Sequence, residues 1–255
     1  MTRLHGSKDF WLGALRTEGP AFGAAIAEAP LDIRVPSCPE WTMTDLIHHL
    51  GSVYAWVRGF VGSGSTERPP RLAVPEGLPT GPAAIEWWRG EYDQLMALLD
   101  GLDPEAPAWN WAPQPKRAAF WHRRMAHETA VHRWDAQMAV AAGEPIEAKL
   151  AADGVSEVLD TLLPSGRRAV KQPWYGVVQL VATDAGQEWY MRLRGAGVAL
   201  LDTSTILDSD DHHARAHVSG TASDLLLALW GRLRFDALDV AGDAQLLDGL
   251  RAGDH

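Results

Sequence analysis

Cysteine is nearly absent from the 255-residue sequence, whose single example is Cys38. One cysteine excludes an internal disulfide framework and any zinc ribbon that takes several thiolates from one chain. Long apolar runs are also missing: no segment approaches the roughly 18 apolar residues of a membrane-spanning helix. The first residues contain no uninterrupted apolar stretch of the kind found in signal peptides. We therefore expect a cytoplasmic protein that does not enter a membrane.

Positive charge is scarce, since 23 Lys and Arg residues face 33 Asp and Glu residues and the net charge is −10. A chain with a net negative charge repels a phosphate backbone, which argues against nucleic-acid binding. The sequence also lacks a Gly-rich phosphate loop, a dinucleotide fingerprint and the Gly-x-Ser-x-Gly turn of hydrolases. Apolar residues are plentiful, at 46% of the chain. This length and composition are typical of two globular domains with sizeable cores.

The first half of the chain has the apolar spacing of helices. Helices are predicted over residues 8–29, 42–60, 83–99 and 117–142, with loops over residues 30–41 and 62–82. Thr42 and Asp45 form the pattern of a capping box at the start of the second helix. Gly19 and Pro20 predict a break or kink in the first helix, because proline removes a backbone donor and crowds the preceding turn. Residues 1–145 are therefore predicted to form a helical bundle.

After Pro145 the pattern changes to one with alternating apolar and polar residues. Strands are predicted over residues 175–183, 188–194, 198–201 and 213–218, and helices over residues 151–163 and 225–233, with a last helix near the end. Asp184, Ala185 and Gly186 mark a hairpin turn between the first two strands. Residues 146–255 are therefore predicted to form an α+β domain.

The fourth predicted helix carries the residues best suited to chemistry. Residues three and four apart share a helix face, so Glu128, His132 and Asp135 lie on one stripe. Glu128 and His132 can bind one metal ion together, but a competent site needs at least a third ligand. The second helix offers His48 or His49 across the bundle core. Adjacent residues point in different directions, and the pattern alone does not choose between them.

A His-Glu-His set with an open position is typical of a catalytic zinc site. Asp135 is then placed to orient a ligand or a bound water. The structural alternative is an ion pair on the surface or a satisfied core histidine, and Asp135 could pair with Arg124 or Arg133. The apolar neighbours Met125 and Val131 favour a buried helix, in which a glutamate needs a partner.

Four segments resemble the mycothiol-dependent maleylpyruvate isomerase family. The motif Trp-Thr-x-x-Asp-Leu-x-x-His-Leu stands at residues 41–50, within a similar stretch over residues 35–51. Residues 124–135 resemble a second part of the N-terminal domain, and residues 218–233 and 240–243 resemble the C-terminal domain. The resemblance implies an N-terminal DinB-like four-helix bundle that carries a divalent metal, followed by a C-terminal SCP2-like α+β domain.

The resemblance also implies residue roles. It places the metal ligands at His49, the histidine directly before the motif's final Leu, and at Glu128 and His132. It places at Arg232 an arginine that the isomerase activity needs, and the planar guanidinium suits a substrate carboxylate. Zinc is the expected metal, with nickel or manganese as alternatives, and mycothiol is the expected cosubstrate.

The reaction implied is a cis–trans isomerisation. A metal deprotonates the thiol, the thiolate adds to the activated double bond of an enone acid, and rotation followed by elimination gives the trans product. Two alternatives remain open at this stage. One is a mycothiol S-transferase acting on a small-molecule electrophile, and the other is a non-catalytic, metal-bearing small-molecule-binding protein. The chain is expected to be a monomer or a homodimer.

Overall fold

The computed structural model describes residues 6–167, 169, 173–195, 197–201 and 215–253. The strand predicted over residues 213–218 begins outside the described residues. The chain divides into two compact units, the first ending at Pro145 and the second beginning at Ile146. Within the described ranges, no helix combines the length and the apolar character that crossing a bilayer requires.

Four long helices make up the first unit. They are α1 (Lys8–Glu28), α2 (Met43–Val61), α3 (Pro82–Gly101) and α4 (Ala119–Ala139). Helices α1 and α2 each pack against both α3 and α4. The predicted four-helix bundle is therefore confirmed.

Helix α2 begins with the capping box that the sequence predicts. The Asp45 N–H donates to Thr42 Oγ1 at 3.3 Å, and the Thr42 N–H donates to Asp45 Oδ2 at 2.8 Å. Partial burial raises the pKa of Asp45, but hydrogen bonds to its carboxylate from the Thr42 hydroxyl and the Thr42 N–H outweigh burial and lower the pKa below its usual value. Because the cap fixes the first turn, it also fixes the directions in which the following side chains leave the helix.

The segment before α2, predicted to be a loop, contains a small hairpin. Strand β1 (Arg34–Val35) pairs antiparallel with β2 (Cys38–Thr42). Strands this short, with prolines between and within them, show no alternation that a sequence pattern could detect. The hairpin places Ser37 at its turn and Trp41 near its end.

The predicted break in α1 is wrong, because the helix runs through Gly19 and Pro20 without interruption. Pro20 is exposed, whereas Gly19 is buried against α3. Tyr92 of α3 lies so close that a Cβ on Gly19 would stand 2.2 Å from its ring, and the Tyr92 hydroxyl donates to Leu15 O at 2.9 Å. Tertiary packing on this turn therefore outweighs the local preference of proline to end a helix.

Gly19→Ala is expected to lower the free energy of unfolding by about 1–3 kcal/mol, the usual cost of overpacking. The added methyl would collide with Tyr92, which stacks on Trp88 with ring centroids 5.6 Å apart and cannot yield easily. Gly13→Ala is the matched control in the same helix, since a Cβ there meets nothing within 4 Å. It should raise the stability by up to about 1 kcal/mol. Urea denaturation measures both, and a more stable Gly19→Ala variant would contradict this packing.

The second unit is built on a five-stranded sheet in the order β5-β4-β3-β6-β7. Its strands are β3 (Trp174–Ala182), β4 (Gln187–Gly195), β5 (Gly197–Leu200), β6 (Arg215–Gly220) and β7 (Asp239–Gly242). Strands β3 and β6 are parallel, and the other neighbours are antiparallel. Alternate residues such as Val178, Leu180, Met191 and Leu193 are buried, which is the period-two pattern that made β3 and β4 predictable. The short, exposed β7 had no such signal and was missed.

The helices of this unit complete the predicted α+β fold. They are α5 (Ala148–Glu157), continued by a π-helical turn (Val158–Leu162), then α6 (Ala222–Leu229) and α7 (Gln245–Asp248). Helices α6 and α7 pack on β3 and β6. At the start of α6 the Asp224 N–H donates to Thr221 Oγ1 at 3.1 Å, which caps the helix.

Candidate metal centre

Helix α4 is almost completely buried, and it packs mainly against α1 and α2. From Ala119 to Ala136 every residue is buried except Glu128, which is half-buried. This helix nevertheless carries histidines, arginines and acids, and buried polar groups in proteins are almost always hydrogen-bonded. The partners of these groups build the candidate site.

His49, Glu128 and His132 meet between α2 and α4. His49 Nε2 lies 3.2 Å from Glu128 Oε1, and His132 Nε2 lies 3.3 Å from the same oxygen. One ligand atom from each residue lies within 4.8 Å of the others. A single ion bound at about 2.0–2.2 Å from nitrogen and oxygen holds ligand atoms up to about 4.4 Å apart, so the 3.2 Å and 3.3 Å separations of Glu128 Oε1 from the two imidazoles suit a shared ion. Within the described part of the chain, no other three His, Cys, Asp or Glu side chains come together in this way.

Helix α2 separates its two adjacent histidines. His49 faces α4, whereas His48 Nε2 lies 2.7 Å from Pro79 O and its ring meets Trp87 edge-on at 5.9 Å. Successive residues of a helix differ by about 100° in direction, so only one of the pair can reach α4. The structure brings His49 to Glu128, the choice that the residue pattern left open.

Asp135 holds His132 from the far side of its ring. His132 Nδ1 donates to Asp135 Oδ2 at 2.9 Å, and Ser37 Oγ donates to Asp135 Oδ1 at 2.5 Å. The bond to Nδ1 fixes the ring orientation and leaves Nε2 directed at Glu128, the usual arrangement behind a metal-binding histidine. Sequence reasoning missed Ser37, because it lies 98 residues from Asp135 and only the β1–β2 hairpin brings it there.

Arg124 completes the surroundings of Glu128, since its Nη2 donates to Glu128 Oε2 at 3.0 Å. Burial raises the pKa of Glu128, but hydrogen bonds from His132 and His49 and the charge of Arg124 hold it well below its usual range. Burial lowers the pKa of His132, yet its bonds to Asp135 and Glu128 raise it to about 9. Without a metal, the Glu128 carboxylate therefore favours the protonated form of the His132 imidazole. A bound cation would take the place of that proton.

Trp41 of β2 covers one side of the two imidazoles. Its ring centroid lies 4.7 Å from that of His49 and 6.3 Å from that of His132. The sequence motif includes Trp41, but the spacing of residues gave no sign that its side chain belongs to the site.

Arg232 belongs to the second unit, directly after α6. Gly231 has a φ of +72°, which favours glycine and turns the chain there. Arg232 is half-buried, its Nη1 donates to Trp230 O at 2.9 Å, and its guanidinium carbon lies 5.8 Å from the centroid of the Trp230 ring. It remains a candidate for binding a carboxylate.

Comparisons with known proteins match both units. A family profile described as the mycothiol maleylpyruvate isomerase N-terminal domain matches residues 12–137, and one described as the MDMPI C-terminal domain matches residues 149–249. Among curated proteins, no sequence relative matches the chain.

Two solved structures share the fold. The crystal structure of the mycothiol-dependent maleylpyruvate isomerase aligns with a TM-score of 0.63 at 12% identity, over 94% of this chain and 96% of its own. A single-site mutant of that isomerase aligns with a TM-score of 0.62 at the same identity and coverage. Since the two profiles together span most of the sequence, the chain belongs to the mycothiol-dependent maleylpyruvate isomerase family.

Proposed function

We propose that this protein is a metal-dependent isomerase that uses mycothiol to convert the cis form of an enone acid of the maleylpyruvate type into the trans form. The observation that carries the proposal is the cluster of His49, Glu128 and His132, with two imidazoles and one carboxylate oxygen within 4.8 Å. Membership of the family supports the thiol and the substrate class. Zinc suits three such ligands with a further position open, and nickel or manganese also accept them.

A divalent metal held by His49, Glu128 and His132 would supply a positive centre that lowers the pKa of a bound thiol, so that thiolate is present at neutral pH. The protein's own residues prepare the site for it. Asp135 accepts the Nδ1 proton of His132 and keeps Nε2 directed at the site. Trp41 shields one side of the imidazoles from water.

The reaction that this arrangement serves is a reversible addition. The thiolate sulfur forms a bond to one carbon of the activated double bond, and the displaced electron pair moves onto the conjugated carbonyl. Rotation about the resulting single bond follows. The carbon–sulfur bond then breaks, the double bond returns in the trans form, and the thiol is released unchanged. Arg232 would bind the substrate carboxylate through its planar guanidinium.

The test is isomerisation of maleylpyruvate by the purified, zinc-loaded protein with and without mycothiol. We expect turnover with mycothiol, only the background rate without it, and full recovery of the thiol. One-for-one loss of mycothiol into a conjugate would contradict the isomerase and favour the S-transferase. No reaction of either kind, with tight binding of an apolar ligand, would favour the non-catalytic binding protein.

The role of Arg232 is tested in the same assay. Arg232→Met should raise the KM for the acid about tenfold or more, since hydrogen bonds to charged groups contribute about 1.5–3 kcal/mol. Arg234→Met is the matched control, because Arg234 is exposed and pairs with Asp236 at 2.5 Å. An equal effect of both substitutions on KM would contradict a specific role for Arg232.

A further inference from the structure

The two carboxylate oxygens of Glu128 have different surroundings. Oε1 faces the imidazoles, 3.2 Å from His49 Nε2 and 3.3 Å from His132 Nε2. Oε2 accepts a hydrogen bond from Arg124 Nη2 at 3.0 Å. Arg124 stands one helical turn before Glu128 on the same face of α4, and its side chain is only 5% exposed.

This asymmetry limits how Glu128 can bind a cation. A carboxylate coordinates a metal through one oxygen or through both, and the second mode would draw Oε2 away from Arg124. That movement would break a charge-assisted hydrogen bond to a guanidinium that is only 5% exposed, where water replaces a lost bond poorly. The bond along α4 therefore favours coordination through Oε1 alone.

We infer that Arg124 is a positioning residue that confines Glu128 to coordination through one oxygen and thereby keeps a further position on the metal open for an incoming ligand. The inference rests on the proposed function, because it requires a metal at His49, Glu128 and His132. It concerns the number of ligands that the protein gives to the metal, and it needs no contact between Arg124 and the substrate.

Cobalt substitution gives a readout that does not depend on activity. Four-coordinate Co²⁺ absorbs visible light more strongly than five- or six-coordinate Co²⁺, so the band intensity reports the coordination number. We expect wild type and Arg124→Met each to bind about one equivalent, with a clearly weaker visible band in the variant because Oε2 joins the coordination. Arg124→Lys keeps a charged donor within reach of Oε2 and should restore the wild-type band.

A double variant makes the test specific. In the double variant Arg124→Met with Glu128→Gln, the side chain at position 128 has only one oxygen acceptor. It can therefore coordinate through one oxygen only, and the strong visible band should return. If Arg124→Met does not fold by circular dichroism, Arg124→Gln replaces it, and a weaker band is expected there also, since a neutral amide holds Oε2 less firmly than a guanidinium does.

The outcomes separate this inference from the proposed function. An unchanged cobalt spectrum in folded Arg124→Met would overturn the role of Arg124 and leave the metal site intact. Loss of cobalt binding in folded Arg124→Met would also overturn it, because the inference requires Glu128 to remain a ligand. A wild-type protein that binds no cobalt, zinc, nickel or manganese would overturn the proposed function itself.

Discussion

His132→Ala is expected to leave the purified protein with little bound metal, whereas wild type should carry about one equivalent. The substitution removes one of the three side chains that form the cluster, and two protein ligands do not make a competent site. It also frees Asp135 from the ring that it orients. Elemental analysis of protein purified without added metal and without a histidine tag measures the difference.

His48→Ala is the matched control for this experiment. It removes the adjacent histidine, which points away from the site toward Pro79, so its metal content should equal that of wild type. The metal content of Asp135→Asn should lie between those of His132→Ala and His48→Ala, since loss of the hydrogen-bond partner behind a ligand costs about 10–100-fold in metal affinity. Full metal content in His132→Ala, or its loss in His48→Ala, would show that the ligand set is wrong.

Arg133→Met is expected to lower the free energy of unfolding by about 3–5 kcal/mol, as measured by urea denaturation at neutral pH. Arg133 Nε donates to Glu18 Oε2 at 2.6 Å, and the two residues are 3% and 5% exposed. The substitution leaves a buried carboxylate without its cation, which is among the most destabilising single changes. Arg133 Nη1 also donates to Gln137 Oε1 at 2.7 Å and to Glu144 O at 2.6 Å. The substitution therefore also removes the hydrogen bonds that attach the segment after α4 to this helix.

Two further variants show whether burial is the cause. The double variant Glu18→Met with Arg133→Met should lose less stability than the sum of the single changes, because it removes both buried charges together. Arg16→Met, in α1 like Glu18, breaks the ion pair with Asp100 of α3, where the side chains are 54% and 59% exposed. It should cost only about 0–1 kcal/mol. Equal losses in Arg16→Met and Arg133→Met would contradict a special role for the buried pair.

Several features of this protein were determined by residues close together in the sequence. Thr42 and Asp45 start α2 because their bonds span one turn. Glu128 and His132 share a face of α4 because helical geometry requires it at four residues' separation. The alternation of buried residues in β3 and β4 likewise follows from the strand period. In each of these features the residues belong to one helix or one strand, so the geometry of that element decides which side chains lie near one another or on the same face.

Other features were decided only by the tertiary structure. The packing of α2 against α4 placed His49, and not His48, beside Glu128. The contact of Tyr92 with the turn before Pro20 stabilises α1 where the proline would otherwise favour its end. The hairpin brought Ser37 to Asp135, and the fold buried Glu18 against Arg133. The physical reason is the same in each case: a partner distant in sequence supplies the hydrogen bond, the charge or the packing surface, and no local pattern records which helix faces will meet. Helix α4 is an example: because it is buried on nearly all sides, its buried residues are not confined to one apolar face that would indicate which neighbour Glu128 and His132 meet.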